Sequence, residues 1–301
     1  MGRALARLIV AAIATVGLGS DEPALDVVLA RAAVYVADYQ RRLQGIVAEE
    51  LYIQNFMSSS RARRINREGR QLRSDVLLVK LGGDDWWMQF RDVFEVDRRP
   101  VRDRDQRLYR LFVDAKADAR AQAQTIQNES SRYNLGPVTR TINIPIMAML
   151  FFEQVNQQRL DFKQGKAGNV KRFAELAAAD DIWVIEFREN GPGTMVKGAN
   201  NRDIPSHGRV WLDRTSGRFL RTELITEDTQ LRALVDVSYK TTPGIDFLVP
   251  AEMREIYTVR QTETRIDGRA TYDKFRQFSV TTTEKPKSDH QQLISNPKSE
   301  I

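Results

Sequence analysis

The side chains of this chain that could do chemistry are mostly carboxylates. Glu50, Asp75 and Asp92 fall in three runs of strand-like alternation, and two carboxyl groups facing a cleft can act as the acid and base of a glycoside hydrolase. Glu49 and Glu50 are adjacent, so a strand sends them to opposite faces and only one reaches an interior. Arg73 and Arg91 sit beside these positions, and the competing expectation is a structural layer of ion pairs. Metal and thiol chemistry have little to work with, because the chain has no cysteine and two histidines, His207 and His290. A zinc site of imidazole and thiolate is therefore not expected. His207 follows Ser206, but between Pro205 and Gly208 it reads as a turn residue rather than part of a Ser-His pair. No catalytic residue, metal or cofactor is assigned.

Binding chemistry has more candidates. Trp86 and Trp87 are neighbours, so one packs inward and the other reaches outward or to a sheet edge. Tyr52, Trp86, Met147, Leu150, Phe151 and Trp211 are the candidates for contact with a sugar or an acyl chain, against the plainer expectation that they are core. Arg61, Arg63, Arg64 and Arg67 are candidates for contact with anionic lipid or lipopolysaccharide. They lack interleaved aromatics, which speaks against nucleic acid. A third cluster sets Arg102, Arg104 and Arg107 among Asp103 and Asp105. It is either a salt-bridged corner or a clamp for an anion such as phosphate.

The elements that must position these residues are legible from periodicity. Val210 and Leu212, then Leu220 and Leu224, alternate around Thr215-Ser216-Gly217 and predict an antiparallel hairpin with one buried face. Further strands are predicted over residues 46–56, 72–81, 86–96, 159–163, 182–188, 233–240, 252–261 and 270–283. Turns are expected at Gly82 and Gly83, at Pro243 and Gly244, and at Asp267 and Gly268. Residues 58–70 read as a solvated connection, and Asp97 to Pro100 as a break in the sheet. Helices are predicted over 23–44, 101–113 and 118–133, and over 144–156, whose Met149, Leu150, Phe151 and Phe152 leave it apolar on nearly all sides.

Both ends differ from the middle. Arg3 and Arg7 precede an apolar run over 8–18 and small residues at 17–20, the pattern of a secretory signal peptide over 1–20. Residues 284–301 are polar with two prolines and are expected to be disordered. The stretch between, 21–283, is expected to form a single domain, since 301 residues suffice to bury a full core without disulfides. The net charge of +6, or +4 without Arg3 and Arg7, is a mild excess on a highly charged surface. A periplasmic or secreted protein is expected, with at most peripheral membrane contact.

Val210-Trp211-Leu212-Asp213, Thr215-Ser216-Gly217 and Leu220-Arg221-Thr222-Glu223 run as strand, turn and strand, and Leu248-Val249-Pro250-Ala251-Glu252-Met253 leads into Glu255-Ile256-Tyr257. In this order they resemble the LolA-like fold, an incomplete antiparallel barrel with helices closing its concave face. LolA-like proteins include periplasmic lipoprotein carriers. Ala48-Glu49-Glu50, Leu72-Arg73-Ser74-Asp75, Phe90-Arg91-Asp92-Val93-Phe94 and Ser131-Arg132-Tyr133-Asn134-Leu135-Gly136 resemble a family of secreted acidobacterial proteins, a likeness that implies no particular activity. The expectation is an α+β protein with a large curved antiparallel sheet. It would be non-catalytic and bind a lipid or a lipoprotein acyl chain in a half-barrel. The alternatives are an interaction module whose core is sealed by 144–156, and a carboxylate-dependent hydrolase.

Overall fold

The computed structural model describes residues 24–59, 65–80, 87–102, 119–166 and 182–277. Helix α1 is Leu25–Leu43. Its Val28, Ala32, Val36, Tyr39 and Leu43 recur at intervals of three and four and are all buried. Strands β1 (Ile46–Ser59), β2 (Ile65–Lys80), β3 (Trp87–Val96) and β4 (Arg99–Pro100) follow, then helix α2 (Ala119–Ser131). Two four-residue helical turns, α3 (Met147–Leu150) and α4 (Gln154–Gln157), precede β5 (Leu160–Gly165) and β6 (Ile182–Glu189). Five further strands follow: β7 (Ser206–Asp213), β8 (Phe219–Glu227), β9 (Leu231–Thr242), β10 (Ile245–Val259) and β11 (Thr264–Gln277).

These strands form one eleven-stranded open sheet in the order β4-β3-β2-β1-β11-β10-β9-β8-β7-β6-β5. The pairings within β2 to β4 and within β5 to β11 are all antiparallel. A large antiparallel sheet with few helices is an α+β fold. By contact density the chain divides into two compact units. The first holds residues 1–41, 53–70 and 135–271, and the second 42–52, 71–134 and 272–301.

In the first unit, register shows what alternation achieves. Val210, Thr222, Val237, Met253 and Ala270 form one cross-strand row, and all five are buried. One residue along, Arg209, Glu223, Asp236, Arg254 and Arg269 form a row of charges on the other face. There Arg209 binds Glu223 at 2.9 Å, Arg221 binds Asp236, and Glu252 takes Arg254 and Arg269. One apolar and one charged face is the expected state of an antiparallel sheet covered on one side.

In several places the structure departs from the sequence reading. Residues 144–156 are not one helix. Glu153 has an extended ψ of 141°, and its carboxylate accepts a hydrogen bond from Gln40 of α1 at 2.6 Å. Asn156 Nδ2 donates to the Leu150 carbonyl at 2.8 Å, which ends α3 where a helix would have continued. Asp267 and Gly268 are no turn but lie inside β11. The chain reverses at residues 260–263, where Glu263 takes a left-handed conformation. Asp97 and Arg98, both at positive φ, form a tight turn that returns the chain into β4 instead of breaking the sheet. Arg67 and Arg70 belong to β2, and His207 lies in β7 rather than in a turn. The expected signal peptide, the tail, the glycine turn at 82–83, Trp86, and nearly all of the helix over 101–113 fall outside the described residues.

Candidate functional site

The inner face of β7 to β10 carries one charge where the pattern calls for a hydrophobe. Gly208, Leu224, Val235, Glu255 and Gly268 share a cross-strand row, and Glu255 is 1% exposed. Its carboxylate is satisfied from both sides. Arg140 Nη1 stands 3.2 Å from Oε1, and the Tyr257 hydroxyl donates to Oε2 at 3.1 Å. Arg140 also donates to Gln54 Oε1 at 2.8 Å and to the Leu135 carbonyl at 2.6 Å. Gln54 Oε1 in turn accepts the Leu135 N–H at 3.0 Å. Opposite Glu255, Gly268 is required by space. A Cβ there would stand 2.5 Å from Glu255 Oε1 and 2.6 Å from its Cγ.

This network fixes the start of a buried, mostly irregular segment that covers the face. Along it Leu135, Ile142, Ile144, Ile146, Met149, Phe151 and Phe152 are buried, and the Tyr239 hydroxyl donates to the Pro145 carbonyl at 2.6 Å. Phe151 lies 5.2 Å from Phe187 between ring centroids, and Phe152 lies 5.2 Å from Phe219 and 5.3 Å from Phe162. From α1, Tyr35 stacks on Phe219 at 5.8 Å and Tyr39 meets Phe247 edge-on at 5.5 Å. Edge-to-face and offset pairs at these distances add to simple burial.

The residues singled out for binding are dispersed. Phe151 is in this aromatic cluster, while Met147 and Leu150 are half-buried beside it. Trp211 points to the charged face of β7, between the guanidinium groups of Arg209 and Arg221 at 5.2 and 5.0 Å. Tyr52 belongs to the second unit and is fully buried under Arg91, 4.6 Å from its ring centroid. Arg67 is exposed on β2; Arg61, Arg63, Arg64 and Trp86 lie outside the described residues. The buried polar network of Gln54, Arg140 and Glu255 was not singled out by sequence. Its one visible signal is the inward parity of Glu255 between Met253 and Tyr257.

The second unit holds its own buried pair. Glu50 has no exposure and Arg91 has 2%; Arg91 Nε donates to Glu50 Oε2 and Nη2 to Oε1 at 3.0 Å. Burial works against the Arg91 charge, but the Glu50 carboxylate more than offsets this and its pKa stands well above the usual guanidinium range. Both Glu50 oxygens are thus taken. Asp75 and Asp92 oppose each other across the β2–β3 ladder, with Asp75 bridged to Arg276 at 2.7 Å. Glu49, on the outer side, binds Arg73 and Lys274. Ser206 Oγ turns to the Ile204 carbonyl, and burial followed by Arg188 pushes the pKa of neighbouring His207 down. Among the described residues no group of three or more His, Asp or Glu is placed to hold a metal ion. No described helix is long and apolar enough to cross a membrane.

Carboxylates also shape the loop between β6 and β7. Asp203 accepts hydrogen bonds from Gly193 N at 2.8 Å, from Thr194 N at 3.2 Å and from Lys197. Glu189 accepts from Met195 N at 2.7 Å and Ser206 N at 2.8 Å. An open cleft of about 420 Å³ beside this loop is lined by Arg159, Glu189, Asn190 and Thr194 among others. Lys197, then the Gly193 N–H, hold the Asp203 pKa down to about 2. A carboxylate depressed in the folded state stabilises it above its unfolded pKa of about 3.9, and that contribution is lost as pH falls toward the folded value. The Gly193 and Thr194 amide resonances should therefore titrate with a midpoint near pH 2, and Asp203→Asn should abolish that transition. A midpoint near pH 4 would contradict the assignment.

No protein-family model and no curated protein matches the chain. Among solved structures it is similar to an outer membrane lipoprotein-sorting protein domain from Vibrio parahaemolyticus, with 13% identity over 84% of this chain and 95% of that one, at a TM-score of 0.34. A LolA superfamily protein from Nitrosomonas europaea aligns with 7% identity over 86% and 96% of the two chains, at a TM-score of 0.27. An S-type phycobiliprotein lyase from Guillardia theta aligns with 10% identity over 84% and 99%, at a TM-score of 0.25. At such scores the likenesses are loose, and function has to be read from this chain's own geometry.

Proposed function

We propose that the protein is a non-catalytic envelope protein, periplasmic or secreted, that binds the acyl part of a lipid or lipoprotein against the inner face of β7 to β10. The observation that carries this reading is the nature of the cover. Helix α1 covers one part of the aromatic face, at Phe219 and Phe247, and the part around Phe187 is closed by coil and two four-residue turns. Displacing such a segment breaks fewer backbone hydrogen bonds than displacing a long helix would. Export rests on the pattern of residues 1–20, in keeping with the resemblance to secreted acidobacterial proteins. Arg67, together with Arg61, Arg63 and Arg64, is proposed to touch anionic lipid peripherally. No nucleic-acid partner and no cofactor is proposed.

The second reading, an interaction module with a sealed core, is favoured by the complete burial of Ile146, Phe151 and Phe152. The hydrolase reading is weaker, because Glu50 is committed to Arg91. The test is native mass spectrometry of protein exported to the periplasm, together with vesicle co-sedimentation. The carrier reading expects a co-purified acyl-bearing adduct. It also expects binding to anionic over neutral vesicles that falls when Arg61, Arg63, Arg64 and Arg67 become serine. Bare protein that also takes up no fluorescent fatty acid would sink the carrier reading. Equal binding to both vesicle types would end the arginine proposal.

A further inference from the structure

A second cleft lies wholly within the second unit, where the β3–β4 turn meets the end of α2. It measures about 640 Å³ and is open to solvent. Three guanidinium groups line it, those of Arg99, Arg102 and Arg132, and all three residues are exposed. Among the described residues its lining has one carboxylate, Asp97, whose Oδ1 accepts the Gln71 N–H at 2.8 Å. The Asp97 N–H donates to the Gln71 carbonyl, also at 2.8 Å, so Asp97 braces the turn from both its backbone and its side chain.

The turn itself is unusual. Asp97 and Arg98 have φ of 48° and 65°, a two-residue reversal in the left-handed region with no glycine. Such a conformation persists where the surroundings over-determine it, and here it fixes the direction in which β4 presents Arg99. Across the cleft Arg132 lies over the Tyr133 ring, 5.4 Å from its centroid, with Nη1 at 3.5 Å from Glu129. Val96, Pro100 and Val101 supply an apolar wall.

Three guanidinium groups around one concavity outnumber the two carboxylates beside them, Asp97 and Glu129, and an anion between the arginines would offset the remaining positive charge. Guanidinium groups match terminal oxyanions through paired N–H bonds, and a phosphate monoester offers three such oxygens for three arginines. We propose that this cleft binds a phosphate monoester through Arg99, Arg102 and Arg132, with the ligand's remaining atoms on Tyr133 and the Val96, Pro100 and Val101 wall. The site is separate from the acyl-binding face and does not depend on it. The phosphate can belong to a soluble ester or to a phosphatidate headgroup.

The test is calorimetric titration of the full chain at low ionic strength with inorganic phosphate and with glycerol 3-phosphate. Co-sedimentation with phosphatidylcholine vesicles, with and without phosphatidic acid, runs in parallel. Saturable binding is expected, weakened about tenfold by Arg102→Gln and again by Arg132→Gln. Arg159→Gln, in the first unit, should leave it unchanged. Thermal unfolding of the variants should match the parent, since all these side chains are exposed. Binding of the soluble ester or of phosphatidate vesicles supports the site and identifies its source. Failure of every phosphate probe to bind, or binding indifferent to Arg102→Gln and Arg132→Gln, overturns it.

Discussion

Phe151→Ala should destabilise the protein by about 3–5 kcal/mol, the usual cost of deleting a fully buried phenyl ring and leaving its cavity. The side chain has no exposure and packs 5.2 Å from Phe187, in the same cluster as Phe152 and Phe219. Urea unfolding followed by intrinsic fluorescence measures the loss. What separates the two leading functions is the behaviour toward a fluorescent acyl probe. If ligand displaces the cover formed by residues 142–152, removing the ring lowers the cost of displacement. Apparent affinity should then rise roughly tenfold for each ~1.4 kcal/mol taken from the cover's attachment. The cavity also lies where the acyl chain is to lie. In a sealed module the same variant loses the same stability and takes up no probe. A large loss of stability with no probe uptake by parent or variant therefore removes the carrier reading.

Much of the sheet was legible because each strand carries its own pattern. Val210, Leu212 and Leu224 alternate with Arg209, Trp211 and Glu223, and the structure sorts them onto opposite faces. What could not be read depends on partners distant in sequence. Residues 144–156 are apolar all round, and this pattern fits a buried helix as well as a buried irregular segment. The deciding contact is between Gln40 and Glu153, more than a hundred residues apart. Gly268 follows an aspartate and has the chemistry of a turn, yet its glycine makes room for the Glu255 carboxylate on the adjacent strand. The turn at Asp97 and Arg98 was hidden for the opposite reason, since it adopts a glycine-like conformation without glycine. The pairing of Glu50 with Arg91 was legible as one of two alternatives, because a strand that buries Glu50 needs a cation nearby.

The ion pair of Arg140 and Glu255 should be the most sensitive polar feature of the first unit. Both side chains have no exposure, so Arg140→Met leaves a carboxylate in the core without the guanidinium that balances it. Removing one partner of a buried pair typically costs about 3–5 kcal/mol. The change also takes a donor from Gln54 Oε1 and from the Leu135 carbonyl, which loosens the start of the covering segment. Gly268→Ala reaches the same network from β11. Its Cβ would collide with the Cγ as well as the carboxylate of Glu255, and such overpacking costs about 1–3 kcal/mol. The informative variant is the double one. Arg140→Met with Glu255→Leu removes both charges, and replacing a buried pair by apolar groups of similar volume is often neutral. The part of the loss that comes from the unpaired carboxylate should therefore return, while the donors taken from Gln54 and Leu135 stay lost. Urea unfolding of the three proteins checks this, provided the slopes agree. If Arg140→Met alone is nearly silent, or if the double variant is no more stable than the single, the buried pair does not hold the segment in place.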